Sequence, residues 1–338
     1  MQSFDVVVIG AGPAGEVAAG RLGGKGLKVA IVEDRLVGGE CSFWACMPSK
    51  ALLRPYEALT EARRIPGAAE AINGSLNVPA VLDRRDEVIH DLDDSSQLPW
   101  LEDRGITLLR GRGVLSGERR VRVGDEEIEA TKAVIVATGS VPAMPPIEGL
   151  DAIDDAWTNR EATTAKKVPE RLVVMGGGVV GVEMAQAFRT LGSEVTIIEG
   201  ERKILPREEV FACEHVTEGL ESLGVRVILG QNAAKVEQRD GTVVVTGEHG
   251  DTAEGDTLLV ALGRRPQTKG LGLDAFGLED GATIDVEPTM QVPGHPWLYA
   301  LGDANGRVLL THMGKYRAGS RRTTSSARTR AWSTAPTG

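Results

Sequence analysis

The sequence predicts an α/β protein assembled from two similar open-sheet halves, and three observations carry that prediction. An apolar strand runs into a glycine-spaced turn twice, in "FDVVVIGAGPAG" at residues 4–15 and in "RLVVMGGGVVG" at residues 171–181. A second apolar strand follows each turn and ends in an acid, Glu33 in "LKVAIVE" and Glu199 in "SEVTIIE". Each half then closes on another buried strand that stops near a glycine, Gly139 after "AVIVAT" and Gly263 after "DTLLVAL".

Gly10, Gly12 and Gly15, and again Gly176, Gly178 and Gly181, have G-x-G-x-x-G spacing at a strand-to-helix turn. The first glycine allows the tight turn, the second lets a pyrophosphate approach the backbone, and the third lets helix pack on strand. The helix N-terminus then presents free N–H groups to the phosphates. An acid ending the second strand accepts hydrogen bonds from ribose hydroxyls. Because that carboxylate repels a 2′-phosphate, Glu199 favours NAD over NADP, while Arg202 three positions on pulls the other way. The expected fold is therefore two Rossmann-like dinucleotide-binding domains.

Bulk composition is consistent with this class. A chain of 338 residues is long enough for two or three domains with real cores. Its formal charge of -10 argues against a nucleic-acid or anionic-membrane partner. The 42 glycines and only 4% aromatic residues suit an α/β fold with many tight turns. No apolar stretch reaches the roughly eighteen residues of a membrane span, and the strand-like run from Phe4 leaves no room for a signal peptide. The expectation is a soluble, cytoplasmic protein, in which disulfides are catalytic or redox-sensing rather than structural.

Two of the three cysteines lie five positions apart in "GGECSFWACMPSK", residues 38–50. In a regular helix Cys41 and Cys46 would stand roughly 8.6 Å apart at Cα, beyond the roughly 4.4–6.8 Å that a disulfide spans. A bridge therefore demands that the segment leave the helix between them. Gly38 and Gly39 ease a bend just before it, and Pro48 suits an early helical position just after it. Core residues, metal ligands and a redox couple all stay open at this point, although no C-x-x-C or histidine cluster supports a metal. Cys213, alone on a helical pattern in "EEVFACEHV", reads as a core residue.

Residues 51–104 read as largely helical, and "DRRDEVIHDLDDSSQLPWLEDRGI" keeps its apolar residues at helical spacing. "GITLLRGRGVLSG" and "RVRVGDEEIEATKAVIVATGS" alternate like strands and hairpins. The proline-rich "VPAMPPIEGLDAIDD" marks the crossing between domains.

In this order the motifs resemble the class I pyridine nucleotide-disulfide oxidoreductases, the family of dihydrolipoamide dehydrogenase, glutathione reductase and mercuric reductase. The resemblance runs from about residue 4 to about residue 317. It rests on the first glycine turn, the C-x-x-x-x-C-x-P-S-K segment, "ATGS", the second glycine turn with Glu183, "GRRP" and "LYALGDANG". It implies an NAD(P)-binding domain at 146–263 inserted into an FAD-binding domain at 1–145 that resumes at 264–317. Electrons would pass from NAD(P)H through FAD to a Cys41–Cys46 disulfide, and then to a small-molecule or lipoyl disulfide.

The resemblance also implies site roles. Cys46 would be the thiol nearest the flavin, Cys41 the one that exchanges with substrate, Lys50 the cation near the flavin and Glu183 its paired acid. Cofactor contacts would fall on the six motif glycines, Glu33, Gly39, Gly113 (adenine, through its backbone), Thr138, Gly139, Glu199 and Gly263. Asp303 would bind the ribityl chain, and Thr311 would make a nearby backbone contact. FAD and NAD are the implied cofactors, with no metal.

Two departures qualify the resemblance. "SFWAC" replaces the family's Asn and Gly beside the second cysteine, so Phe43 and Trp44 add bulk near the flavin or the substrate channel. After "THMGKYRAG" comes "SRRTTSSARTRAWSTAPTG", a polar basic tail expected to be disordered over 318–338. The family's interface domain, with its His–Glu acid–base pair, would then be missing and the homodimer impaired; His312 does not take the base role. The alternatives to full activity are a nucleotide-binding fragment without disulfide turnover, or an NADH oxidase or diaphorase.

Overall fold

The computed structural model describes residues 1–319. The chain opens with β1 (Gln2–Ile9), α1 (Pro13–Gly23), β2 (Val29–Glu33), α2 (Gly39–Phe43), α3 (Cys46–Arg63), α4 (Val78–Val88) and α5 (Leu98–Glu102). Strands β3 (Ile106–Arg110), β4 (Gly113–Gly117), β5 (Arg120–Val123), β6 (Glu126–Val136) and β7 (Ser140–Pro142) follow. Next come α6 (Asn159–Thr164), β8 (Arg171–Met175), α7 (Val179–Thr190), β9 (Glu194–Ile198), α8 (Val210–Ser222) and β10 (Arg226–Ile228). The rest is β11 (Ala233–Arg239), β12 (Thr242–Gly247), β13 (Thr252–Gly255), β14 (Thr257–Val260), β15 (Arg264–Pro266), β16 (Gln291–Val292), β17 (His295–Ala300) and α9 (Thr311–Gly319).

Among the described residues one compact unit gathers 1–43, 92–141 and 265–319, and the other gathers 44–91 and 142–264. The sequence expectation kept 1–145 together, whereas α3 and α4 pack with the second unit. In the first unit the sheet order is β16-β17-β6-β1-β2-β3, and β1 runs parallel to both β2 and β6. Val6 to Ile9 are all buried, the continuous apolar run of a parallel strand covered on both faces. Strand β6 pairs antiparallel with β5 over 126–129 and parallel with β1 from Ile128 to Val136, so hairpin and central strand are one element.

In the second unit the parallel sheet runs β10-β9-β8-β14. Side chains alternate across it, as the period of two requires. Leu172, Val174, Ile197 and Leu259 join the core beneath α3, α4 and α7. Val173, Met175, Ile198, Leu258 and Val260 join a core with the antiparallel meander β11-β12-β13. Helix α3 contains Pro55, which has no N–H to give to the Ala51 carbonyl one turn back. Arg84 Nη1 of α4 donates to that carbonyl instead, at 3.2 Å.

Two expectations need correction, and a third gains detail. The largely helical stretch over 51–104 is interrupted, because α4 ends at Val88 and His90, Asp91 and Leu92 take φ of 50°, 51° and 62°. Beyond that bend Asp94 is buried, accepting the Val37 N–H at 2.6 Å and pairing with Arg110 Nη2 at 2.7 Å. Phe43 is 2% exposed and so lies in the interior. Of the expected disordered tail, Ala318 and Gly319 close α9, and the remainder lies outside the described residues. Among the described residues no helix is long and apolar enough to cross a membrane.

Candidate active site

The two glycine turns have nearly the same geometry. Gly10 and Gly176 sit at φ +102° and +104°, and a Cβ on either would meet the carbonyl oxygen of Ala137 (2.4 Å) or Ala261 (2.5 Å). Gly12 and Gly178 cap α1 and α7 in extended conformation, with nothing within 4 Å of a Cβ there. Each acid ties back to the middle residue of its own turn. Glu33 Oε2 accepts the Ala11 N–H at 2.7 Å, and its Oε1 accepts the Arg35 N–H at 2.8 Å. Glu199 Oε2 accepts the Gly177 N–H at 2.5 Å, and its Oε1 accepts the Glu201 N–H at 2.8 Å. Burial pushes the Glu33 carboxyl above its usual range against the pull of those two N–H groups. Lys203 points inward, donating to the Glu208 carbonyl and reaching Cys213 Sγ at 3.5 Å, while Arg202 is exposed. Cys213 is buried, as expected.

At the end of β6, Thr138 Oγ1 is buried without a hydrogen-bond partner among the described residues. Gly139 follows at φ +74° beside open space. Ser140 Oγ donates to Asp303 Oδ2 at 2.6 Å, and Thr311 begins α9. Gly39, at φ +59°, would place a Cβ 2.8 Å from Gly12 Cα, so its backbone lies against the first turn. Gly113 is buried against Ile9 and Val32. In the second unit Gly263 has φ +106° and open space, and its carbonyl accepts the Ala143 N–H at 3.0 Å.

The cysteine segment does leave the helix. Cys41 lies in α2, Cys46 opens α3, and between them Ala45 takes φ -137° and ψ -95°. Both cysteines are half-buried. One turn into α3, Lys50 Nζ donates to Glu183 Oε1 of α7 at 2.5 Å. The lysine side chain is 62% exposed and the glutamate 28%.

A family model for the pyridine nucleotide-disulphide oxidoreductases matches residues 4–325. The chain belongs to that family. This oxidoreductase is 34% identical over 322 residues to a dihydrolipoyl dehydrogenase of Chlamydia muridarum, a match covering 94% of the chain and 69% of the relative. It is 30% identical over 323 residues to a mercuric reductase of Staphylococcus aureus, covering 94% of the chain and 58% of that protein. The Cu(II) complex of the HOCl-induced flavoprotein disulfide reductase RclA from Escherichia coli matches it with a TM-score of 0.84 at 26% identity. That match covers 97% of this chain and 71% of the other. Like its family, the oxidoreductase uses FAD and a nicotinamide nucleotide and acts on sulfur groups.

The residues of the oxidoreductase fit such cofactors. Open space at Gly12 and Gly178 leaves the backbone approachable where a pyrophosphate must come close. A carboxylate has about four lone-pair sites. Glu33 and Glu199 each use two on backbone N–H groups, leaving the others for ribose hydroxyls. The unpartnered Thr138 hydroxyl is a further polar group suited to a ligand.

Sequence reasoning missed what holds the break between the cysteines. Asn159 Nδ2 donates to the Trp44 carbonyl at 2.7 Å, the Thr163 hydroxyl lies 3.2 Å from the same oxygen, and the Arg160 guanidinium covers the Trp44 ring at 4.7 Å. The one signal in the letters was the capping box Thr158–Glu161, which starts the helix carrying all three residues.

Proposed function

We propose that the chain passes electrons from NADH through FAD to a Cys41–Cys46 disulfide and then to a small disulfide or dithiol of the lipoyl kind. The observation that carries this reading is Cys46 at the first residue of an eighteen-residue helix, with Lys50 one turn on and paired to Glu183. Gly10, Gly12, Gly15, Glu33, Gly39, Gly113, Thr138, Gly139, Asp303 and Thr311 would hold FAD. Gly176, Gly178, Gly181, Glu199 and Gly263 would hold the nicotinamide nucleotide. When bound, the flavin relays two electrons, so that NADH, a proton and the disulfide become NAD⁺ and two thiols. The free N–H groups and dipole at the start of α3 favour negative charge on the Cys46 sulfur. Lys50 would supply positive charge toward the cofactor, and Glu183 fixes where its ammonium lies. The lipoyl choice draws support from the name of the chlamydial relative.

The test is to purify the chain, read its flavin by visible absorption, and count thiols after one equivalent of NADH without oxygen. Two new thiols per chain are expected in the wild type and none in Cys46→Ser. NADH-dependent reduction of lipoamide and DTNB should vanish in both Cys41→Ser and Cys46→Ser. NADH oxidation with oxygen or quinone as the sole acceptor, unchanged in both variants, would replace this reading with a diaphorase.

Two substitutions probe single roles. Lys50→Met breaks an exposed ion pair, so the melting transition should move by less than about 1 kcal/mol in stability. The rate of flavin reduction by NADH in stopped flow should fall on the order of tenfold to a hundredfold. A rate within twofold of wild type removes Lys50 from the electron-transfer site. Glu199→Gln keeps an acceptor for Gly177 but removes the charge, so the NADH over NADPH preference in kcat/KM should drop about tenfold. An unchanged ratio means that Glu199 only supports the turn.

A further inference from the structure

Helix α3 contains two prolines that cannot donate to the carbonyl four residues back, and both freed carbonyls are taken by side chains from neighbouring helices. Pro55 frees Ala51, which Arg84 satisfies. Pro48 would free Trp44 if the helix ran on upstream, and its ring would also crowd that carbonyl. The chain breaks at Trp44–Ala45, between the two cysteines. A break alone leaves an orphan carbonyl on a short loop with many alternative conformations.

Asn159 and Thr163 close that gap. They are 5% and 2% exposed, so their polar groups are committed to protein partners. Arg264 Nη1 donates to Asn159 Oδ1 at 3.0 Å, which orients the amide so that its NH₂ faces the Trp44 carbonyl at 2.7 Å. The Thr163 hydroxyl shares its one proton between the Asn159 carbonyl at 2.8 Å and the Trp44 carbonyl at 3.2 Å. The C-terminal end of α6 is held in turn by Arg85, fully buried, which donates to the Thr163 carbonyl at 2.5 Å and the Ala165 carbonyl at 2.7 Å. Trp44 thus sits in a rigid socket, its ring beneath Arg160.

We infer that Asn159 is a positioning residue for the cysteine pair, holding the Trp44–Ala45 break so that the segment stays out of the helix, the departure that a bridge between Cys41 and Cys46 demands. The inference rests on the redox reading of Cys41 and Cys46. Ordering the loop before the bond forms removes conformational entropy that closure would otherwise cost. The clamp therefore favours the disulfide and lowers its reduction potential. Losing the clamp frees the dithiol more than the disulfide, and the potential rises.

The experiment is an oxygen-free redox titration of the full chain in mixtures of reduced and oxidised dithiothreitol, with trapped thiols on Cys41 and Cys46 counted by mass. The reaction read is dithiol plus oxidised dithiothreitol giving disulfide plus reduced dithiothreitol, two electrons and two protons moving together. Asn159→Ala should lower the disulfide equilibrium constant about tenfold, about 30 mV for a two-electron couple. Asn159→Asp is isosteric and keeps the Arg264 contact, yet turns an acceptor toward the Trp44 carbonyl, so its shift should be at least as large. Thr163→Val should move the midpoint the same way by less. Should Asn159→Ala fail to fold, the other two variants still decide. A wild-type chain whose pair never oxidises overturns the redox reading itself. A wild type that titrates normally, beside variants that keep its midpoint, overturns the positioning role alone.

Discussion

Gly181→Ala should purify with its flavin and fail to oxidise NADH, whereas Gly15→Ala should purify without flavin. A Cβ on Gly181 would stand 2.0 Å from the Gly176 carbonyl oxygen, and one on Gly15 would stand 1.9 Å from that of Gly10. Both obstacles are backbone atoms of the turn, so relief requires that α7 or α1 slide off its strand. That displaces the N–H groups meant for the phosphates, and binding should weaken at least about 100-fold, close to 3 kcal/mol. Gly12→Ala and Gly178→Ala provide the contrast. Both positions have φ -74° and open space around a Cβ, so the fold should accept the methyl with little change in melting temperature. The methyl nevertheless occupies the approach of a pyrophosphate, and affinity should fall while stability does not. Visible absorption of the purified protein, kcat/KM for NADH and thermal melts separate the four variants. Gly181→Ala with wild-type KM and kcat would show that the second turn does not bind the nicotinamide nucleotide.

These turns were legible because backbone sterics dictate the letters. Positive φ at Gly10 and Gly176 and sub-contact distances at Gly15 and Gly181 leave no other residue type, so sequence and geometry map directly. The positions of the acids, at the end of β2 and just after β9, were legible as well, but the hydrogen bonds they make were not. That Glu33 and Glu199 also brace Ala11 and Gly177 follows from distances that no spacing rule contains. The bend at His90–Leu92 was hidden because apolar residues keep helical spacing across it, while the buried Asp94 that fastens the chain beyond it is bonded to Val37 and Arg110. The Trp44 socket was hidden for a related reason. Its partner is a main-chain carbonyl, every residue has one, and nothing in the sequence marks which will be orphaned except the absent N–H of Pro48. Pro48 marks an early helical position, and its effect four residues upstream leaves no trace in the spacing.

Native stability should fall as pH rises from about 5 to about 7, and Glu16→Gln should remove part of that fall. Glu16 lies in the first turn of α1, and α9 packs along that helix. Burial raises its carboxyl from the ordinary 4.5 to about 7, Lys315 of α9 pulling the other way and the Glu33 charge adding to the rise. Because the folded value lies above the unfolded one, the native state holds a proton that the unfolded chain has released throughout that window. Below 4.5 both states are protonated and Glu16 contributes nothing. Above about 7 both are ionised and the full cost of the buried charge is present, on the order of 3 kcal/mol for the rise from 4.5 to about 7 at about 1.4 kcal/mol per pH unit. Glutamine keeps the shape and carries no charge, so at pH 8 the variant should be more stable than wild type by on the order of 3 kcal/mol, while at pH 4.5 the two should nearly agree. The comparison cancels the other titrating groups. Urea unfolding followed by circular dichroism at several pH values reads it directly, and parallel curves for the two proteins would show that Glu16 is solvated in the native state. The same carboxylate stands in the turn proposed to face the FAD pyrophosphate, where added negative charge favours its protonated form further. Flavin binding near pH 7 should therefore take up a proton in the wild type, and less of one in Glu16→Gln, measurable by calorimetry in buffers of different ionisation enthalpy.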